Sequence, residues 1–293
     1  GPGGIRWPVI GDGLRFAFVK DLKDMWDVFM KLAEARQDMI SVYLGSKLTI
    51  MVQEPNLLKK IIQTNKCLHK DEDFYRGFSE MTDGVFSTTN LERWAHLRQP
   101  LDRILHPKHM DTYKTILAER AEVACDSVQR ICDKGVFDVL DVIKYYMMES
   151  TLAIFGDPNV HQAEDTAKLI EFLERVMRCC LLRIANPFYK IEWIFQASTL
   201  GKEARATKDL GRPILSKMID DSLKKMENRG YTEDGQDFEP QSYIEAAIRT
   251  GFIENASDEK TIFSFADLLI AGYETTGVAT ASTILFLAMH PEY

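Results

Sequence analysis

A carboxylate set in the middle of an otherwise apolar stretch constrains this chain more than any other feature. From Ile262 to Met289 the residues are mainly Leu, Ile, Phe, Val and Ala, yet Asp267 and Glu274 fall among them. The pattern predicts one very long helix over Ser257 to Met289. Its longest uncharged run, Thr275 to Pro291, is rich in Thr and Ser and falls short of the ~20 mostly apolar residues of a bilayer span. A buried helix is therefore expected, and these residues contain no signal peptide or membrane anchor.

The stretch Leu268-Leu269-Ile270-Ala271-Gly272-Tyr273-Glu274-Thr275-Thr276-Gly277 is costly to fold. Burying a carboxylate is expensive unless it is paired or neutralised. A glycine inside a helix costs about 1 kcal/mol relative to alanine. A sequence that accepts both costs together gains something in return. Ala271 and Gly272 leave a shallow strip that a flat, bulky ligand can approach. Thr275 lies four residues after Ala271, so its hydroxyl can bond the Ala271 carbonyl and bend the helix locally. A hydroxyl beside a carboxylate and water is equipment for relaying protons. The same residues also suit a plain helix crossing, with small residues at the contact and Glu274 paired to an Arg.

Composition narrows the class. The chain has 293 residues, 36 Lys and Arg against 44 Asp and Glu, and a net charge of −8. An acidic chain is poorly suited to a nucleic-acid backbone, which needs clustered Lys and Arg. An apolar content of 45% is too high for a disordered chain. The five cysteines, at 67, 125, 132, 179 and 180, form no C-x-x-C pair and lack zinc spacing with His. A reducing compartment with spare thiols fits that usage.

Along the chain, Gly1 to Gly13 is punctuated by Pro and Gly and should be irregular. Asp21 to Gln37 has helical spacing. Ile40–Leu44 and Leu48–Val52, separated by Gly45-Ser46, read as a hairpin. Pro55 opens a helix to about Thr64. Asn90 is the expected N-cap of a helix carrying Trp94 and Arg98. Further helices are expected over Asp111–Lys134, Val136–Phe155, Glu164–Ile184, Thr199–Arg229 and Pro240–Arg249. Pro100 should kink or end its helix, and a kink is expected near Gly211-Arg212-Pro213. The fold class is mainly α with a small N-terminal β-sheet. Residues 1–20 read as a proline- and glycine-rich hinge, and 21–293 as part of a single domain.

Ala271-Gly272-Tyr273-Glu274-Thr275-Thr276 resembles the [AG]-G-x-[DE]-T-[TS] signature in the long central helix of cytochrome P450 monooxygenases. Trp94-Ala95-His96-Leu97-Arg98 looks like the W-x-x-x-R of that family's C helix. Trp94 and Arg98 share a helix face, where an indole N–H and a guanidinium can hold a carboxylate. The opening Gly1-Pro2-Gly3-Gly4-Ile5-Arg6-Trp7-Pro8 looks like the hinge after the membrane anchor of microsomal members. The tone is closest to insect microsomal enzymes. In order, these features span the chain.

The resemblance implies a cytochrome P450-like fold and a haem-thiolate monooxygenase. Such an enzyme inserts one oxygen atom of O2 into an apolar small molecule, with electrons from NADPH through NADPH-cytochrome P450 reductase. It implies Thr275 as the hydroxyl that hydrogen-bonds dioxygen and Glu274 as the proton feed. Ala271 and Gly272 would line the face over the haem, while Trp94 and Arg98 would hold a haem propionate. Phe78, Met81, Val85 and Phe86, in the loop Gly77–Thr89, would contact substrate, although such residues equally suit ordinary core. It further implies the cytosolic face of the endoplasmic reticulum membrane, with a mitochondrial location as the alternative and the anchor outside this chain. The substrate is not legible: fatty acids, steroids, terpenoids and xenobiotics all remain open.

Three departures qualify the resemblance. The family ligates haem iron through the Cys of F-x-x-G-x-x-x-C, and no such pattern occurs in these residues. The chain therefore reads as the N-terminal part of a longer domain, inactive by itself for want of that thiolate. Pro100 is unusual within the C helix. Ala271 stands where some members carry a Glu that attaches haem covalently. Rival readings are a non-catalytic helical ligand carrier or scaffold, and an inactive truncated product.

Overall fold

The computed structural model describes residues 12, 21–34, 38–44, 47–64, 66–67, 69–156, 163–232, 238–253 and 258–292. Helix α1 (Leu22–Ala33) is capped by Asp21, whose carboxylate accepts from the amide of Asp24. Strands β1 (Met39–Leu44) and β2 (Lys47–Val52) pair antiparallel, with Met39 opposite Val52 and Leu44 opposite Lys47. This is the expected hairpin. The Gly45-Ser46 turn lies outside the described residues, as does the segment read as a hinge, Asp12 excepted. Helix α2 (Pro55–Ile62) starts on its proline, and Glu54 caps it.

Helix α3 (Glu72–Ser79) falls in a stretch where no helix was expected. Its signals were short: an Asp71 N-cap, two acidic residues in the first turn and only eight residues of length. Then follow α4 (Leu91–Ile104), α5 (Met110–Ile131), α6 (Val139–Phe155), α7 (Ala163–Ala185) and the equally unforeseen α8 (Glu192–Ala197). The chain continues through α9 (Thr199–Asn228), α10 (Tyr243–Arg249) and α11 (Glu259–Met289).

Of the two outcomes expected at Pro100, an end of the helix is not what the structure shows. Helix α4 runs through Pro100 without ending, because Leu97, Pro100, Leu101 and Ile104 are all buried and Asn90 caps its start. Packing of that face outweighs the lost amide. Helix α9 likewise contains Pro213. There the ring is exposed, and so is Asp209, whose carbonyl loses its usual amide partner to the ring.

The chain forms two compact units: Gly1–Met81 with Arg175–Thr207, and Thr82–Glu174 with Lys208–Tyr293. In the first, Leu32, Ile40 and Val42 form a small core, with Val28, Phe29 and Met51 packed against it. Arg183, almost fully buried, is met by Glu80 and Glu192 and lies over the Phe195 ring, 3.8 Å from its centroid. A buried guanidinium needs such partners, since it cannot shed its charge.

The second unit is built around α11. At about 1.5 Å per residue its 31 residues span about 46 Å. Its first half is buried on nearly all sides, from Thr261 to Leu269, and α6 is its main packing partner. Tyr243 of α10 stacks on Phe265 with the rings 6.1 Å apart. Beyond Ala281 the helix is largely exposed, including Leu285, Phe286 and Met289. Among the described residues no helix is long and apolar enough to cross a membrane.

Candidate functional site on the central helix

The costly stretch lies where α11 passes from wholly buried to one-sided. Tyr273 and Gly277 point into the core, whereas Ala271 is partly covered and Thr275, Thr276 and Val278 are exposed. Residues four apart lie one above another on a helix, so Ala271, Thr275 and Val278 or Ala279 make one open strip of small side chains. The Thr275 hydroxyl donates to the Ala271 carbonyl at 2.8 Å, as the spacing predicts. Thr276 donates likewise to Gly272. The helix nevertheless continues as α-helix through both residues.

Gly272 is not on that strip. A Cβ there would stand 2.6 Å from Cγ2 and 2.8 Å from Oγ1 of Thr151 on α6. The missing side chain therefore lets α6 approach the α11 backbone, and the open strip is narrower than the sequence suggests. Thr151 spends its own hydroxyl proton on the Met147 carbonyl, 2.7 Å away.

Glu274 lies beside Thr275 and is partly covered. Its carboxylate meets Lys144 of α6 at 3.1 Å, and Lys144 also meets Glu174 of α7 at 3.1 Å. Its partner is thus a lysine rather than an arginine. Burial works against the charge on Lys144, but the hydrogen bonds it donates to Glu174 and Glu274 outweigh that and hold the ammonium above its ordinary range.

Trp94 and Arg98 are both exposed on α4, on the border of the buried stripe of Leu97 and Leu101. Trp94 is 40% exposed, so it is not a core tryptophan. Arg98 pairs with Asp102, one turn on, at 2.7 Å. The four residues assigned to substrate differ in kind. Phe78 and Met81 belong to the first unit, where Met81 is buried. Val85 and Phe86 belong to the second, where Val85 is buried and Phe86 is 49% exposed. Met81 and Val85 are core residues by burial, and Phe86 is the one that presents an aromatic face to solvent.

A polar constellation went unread in the sequence. Asp267, two turns before Glu274, is almost wholly buried. Its Oδ1 is 2.5 Å from the Thr82 hydroxyl, and its Oδ2 is 2.8 Å from that of Ser87. The amides of Phe86 and Ser87 also donate to Oδ2, at 3.1 and 3.0 Å. The signal was present: an Asp inside Phe263-Ser264-Phe265-Ala266-Asp267-Leu268-Leu269 has to find donors. Those donors lie 180 to 185 residues earlier, so spacing along the chain does not reveal them.

Burial pushes the Cys179 thiol up to about 11, away from the thiolate that a metal or nucleophilic role needs.

Residues 2–293 match the family described as Cytochrome P450. A relative named probable cytochrome P450 313b1, from Drosophila melanogaster, is 23% identical over 99% of this chain and 59% of its own length. Cytochrome P450 4c21 of Blattella germanica is 19% identical over the same shares. Thromboxane-A synthase of Macaca fascicularis is 20% identical over 60% of this chain and 32% of its own length. The chain thus spans about three-fifths of the length of the insect relatives it matches.

Proposed function

We propose, from the premise that this chain belongs to the cytochrome P450 family, that it is the N-terminal part of a haem-thiolate monooxygenase acting on an apolar small molecule. The observation that carries this reading is the open strip of α11, with Ala271 and Thr275 one turn apart and Glu274 beside them. Small, partly uncovered side chains on a rigid helix suit the approach of a flat macrocycle. When bound, haem supplies the activation of dioxygen and the transfer of one of its oxygens to substrate.

The residues of this chain would bind, orient and move protons. Ala271 lines the ligand face, while Gly272 contributes indirectly by letting α6 hold that face in place. The Thr275 hydroxyl can turn from the Ala271 carbonyl toward a ligand above the strip. Glu274 reaches solvent on one side and Thr275 on the other, which suits proton delivery. Lys144 keeps that carboxylate from wandering, so Glu274 also braces α11 against α6. Trp94 and Arg98 present an N–H and a cation to a propionate, with Arg98 leaving Asp102 or sharing it. Phe86 is the substrate contact that exposure favours, with Val85 packed in the core beside it in sequence.

Electrons would come from NADPH through its reductase. The protein would work on the cytosolic face of the endoplasmic reticulum, or in mitochondria, with its anchor outside these residues. Thr275→Ala tests the site in the full-length protein. The spectrum of the reduced, CO-bound haem should survive, while product per NADPH falls several-fold and peroxide release rises. Unchanged coupling refutes the role of Thr275.

A further inference from the structure

The three oxygen–oxygen contacts at Asp267 raise a question of proton count. Thr82 Oγ1 lies 2.5 Å from Asp267 Oδ1, Ser87 Oγ lies 2.8 Å from Oδ2, and the two hydroxyl oxygens lie 3.0 Å from each other. Three oxygen–oxygen contacts at hydrogen-bond distance need three protons. Two hydroxyls supply two. With an ionised carboxylate, one contact is a bare approach of two oxygens. With a protonated carboxyl, Oδ1 donates to Thr82, Thr82 to Ser87, and Ser87 back to Oδ2, and every contact is a hydrogen bond. Ser87 Oγ keeps a lone pair for the Gly84 amide, 2.8 Å away. Oδ2 still accepts from the amides of Phe86 and Ser87.

We propose that Asp267 is a neutral carboxylic acid at neutral pH, and that its proton closes a ring with Thr82 and Ser87 that clasps the loop Thr82–Thr88 onto α11. The clasp is a positioning device. It fixes the loop that carries Phe86 one turn of α11 before Ala271, and it holds whether or not the chain binds haem.

Three further observations agree. Asp267 is nearly inaccessible, and an ionised carboxylate in such a place is costly. Its partners among the described residues are hydroxyls and amides. The charged groups packed nearby are engaged elsewhere: Arg93 of α4 pairs with Asp83 at 3.0 Å and donates to the Lys260 carbonyl. Tyr243 of α10, whose hydroxyl has no partner among the described residues, contributes a neutral phenol. Burial pushes the Asp267 carboxyl above its ordinary range, against the opposing pull of the Thr82 and Ser87 bonds. Gly84 makes the close approach possible, since a Cβ there would stand 2.4 Å from Oδ2 and 2.5 Å from the Ser264 carbonyl.

Infrared spectroscopy of the intact protein in heavy water at neutral pH reads the proton directly. A carboxylic-acid C=O band is expected, lost in Asp267→Asn and shifted in Ser87→Ala, which removes one donor to that carbonyl. Asn suits the ring, because its N–H can replace the acid's donor to Thr82. Only ionised carboxylate bands at neutral pH, or an acid band that Asp267→Asn leaves in place, overturns the proposal. Should neither variant fold, the wild-type band decides alone: its presence supports the neutral acid and its absence refutes it.

Discussion

Two carboxylates seven residues apart on one helix are kept by opposite means. Glu274 meets Lys144 at 3.1 Å, with part of its surface in water. Asp267 has no cation and is surrounded by hydroxyls and amides. The difference has a pH consequence. A carboxyl whose folded pKa lies above the unfolded value, about 3.9 for Asp, binds its proton more tightly in the folded state. Its contribution is therefore full below about pH 4 and is lost as pH rises through the folded value. Chemical denaturation of the wild type and of Asp267→Asn, compared across pH 4 to 9, should show the wild type losing stability relative to the variant as pH rises. A constant difference would mean that Asp267 ionises at its ordinary pH. From sequence alone, Glu274 announced itself through the motif around it. Asp267 was seen only as an interruption of an apolar run, because its partners Thr82 and Ser87 are remote in the chain.

At the scale of elements, the crossing of α6 and α11 decides what the glycine of the motif does. Gly272→Ala would place a methyl 2.6 Å from Thr151 Cγ2. The helices have to separate or a side chain has to move, which costs about 1–3 kcal/mol in a packed interior. Thr151→Ala should recover part of that loss in the double variant, and thermal unfolding of the four members of the cycle measures the coupling. Additive losses would show that Thr151 does not limit the crossing. Helix periodicity made nearly all the long helices legible, with ends within a few residues. It failed at α3 and α8, which are too short to build a period. An end of the helix was over-read at Pro100, where Leu97, Leu101 and Ile104 on either side are buried.

At the scale of the molecule, the two motifs read from the sequence both fall in the unit formed by Thr82–Glu174 and Lys208–Tyr293. The substrate set does not: Phe78 and Met81 belong to the other unit, and burial puts Met81 and Val85 in the core. Periodicity cannot tell a core Met from a contact Met, since both are apolar residues in a short loop. The match to the cytochrome P450 family covers residues 2–293, and the chain spans about three-fifths of the length of its insect relatives. The account therefore stands on whether the full-length protein holds haem through a thiolate. Reduction of that protein under carbon monoxide measures this most directly. The account predicts the red-shifted Soret band of thiolate-ligated haem in stoichiometric amount; a protein that binds no haem, or whose reduced CO complex shows the unshifted band of a nitrogen-ligated haem in the freshly prepared, folded protein, would contradict it.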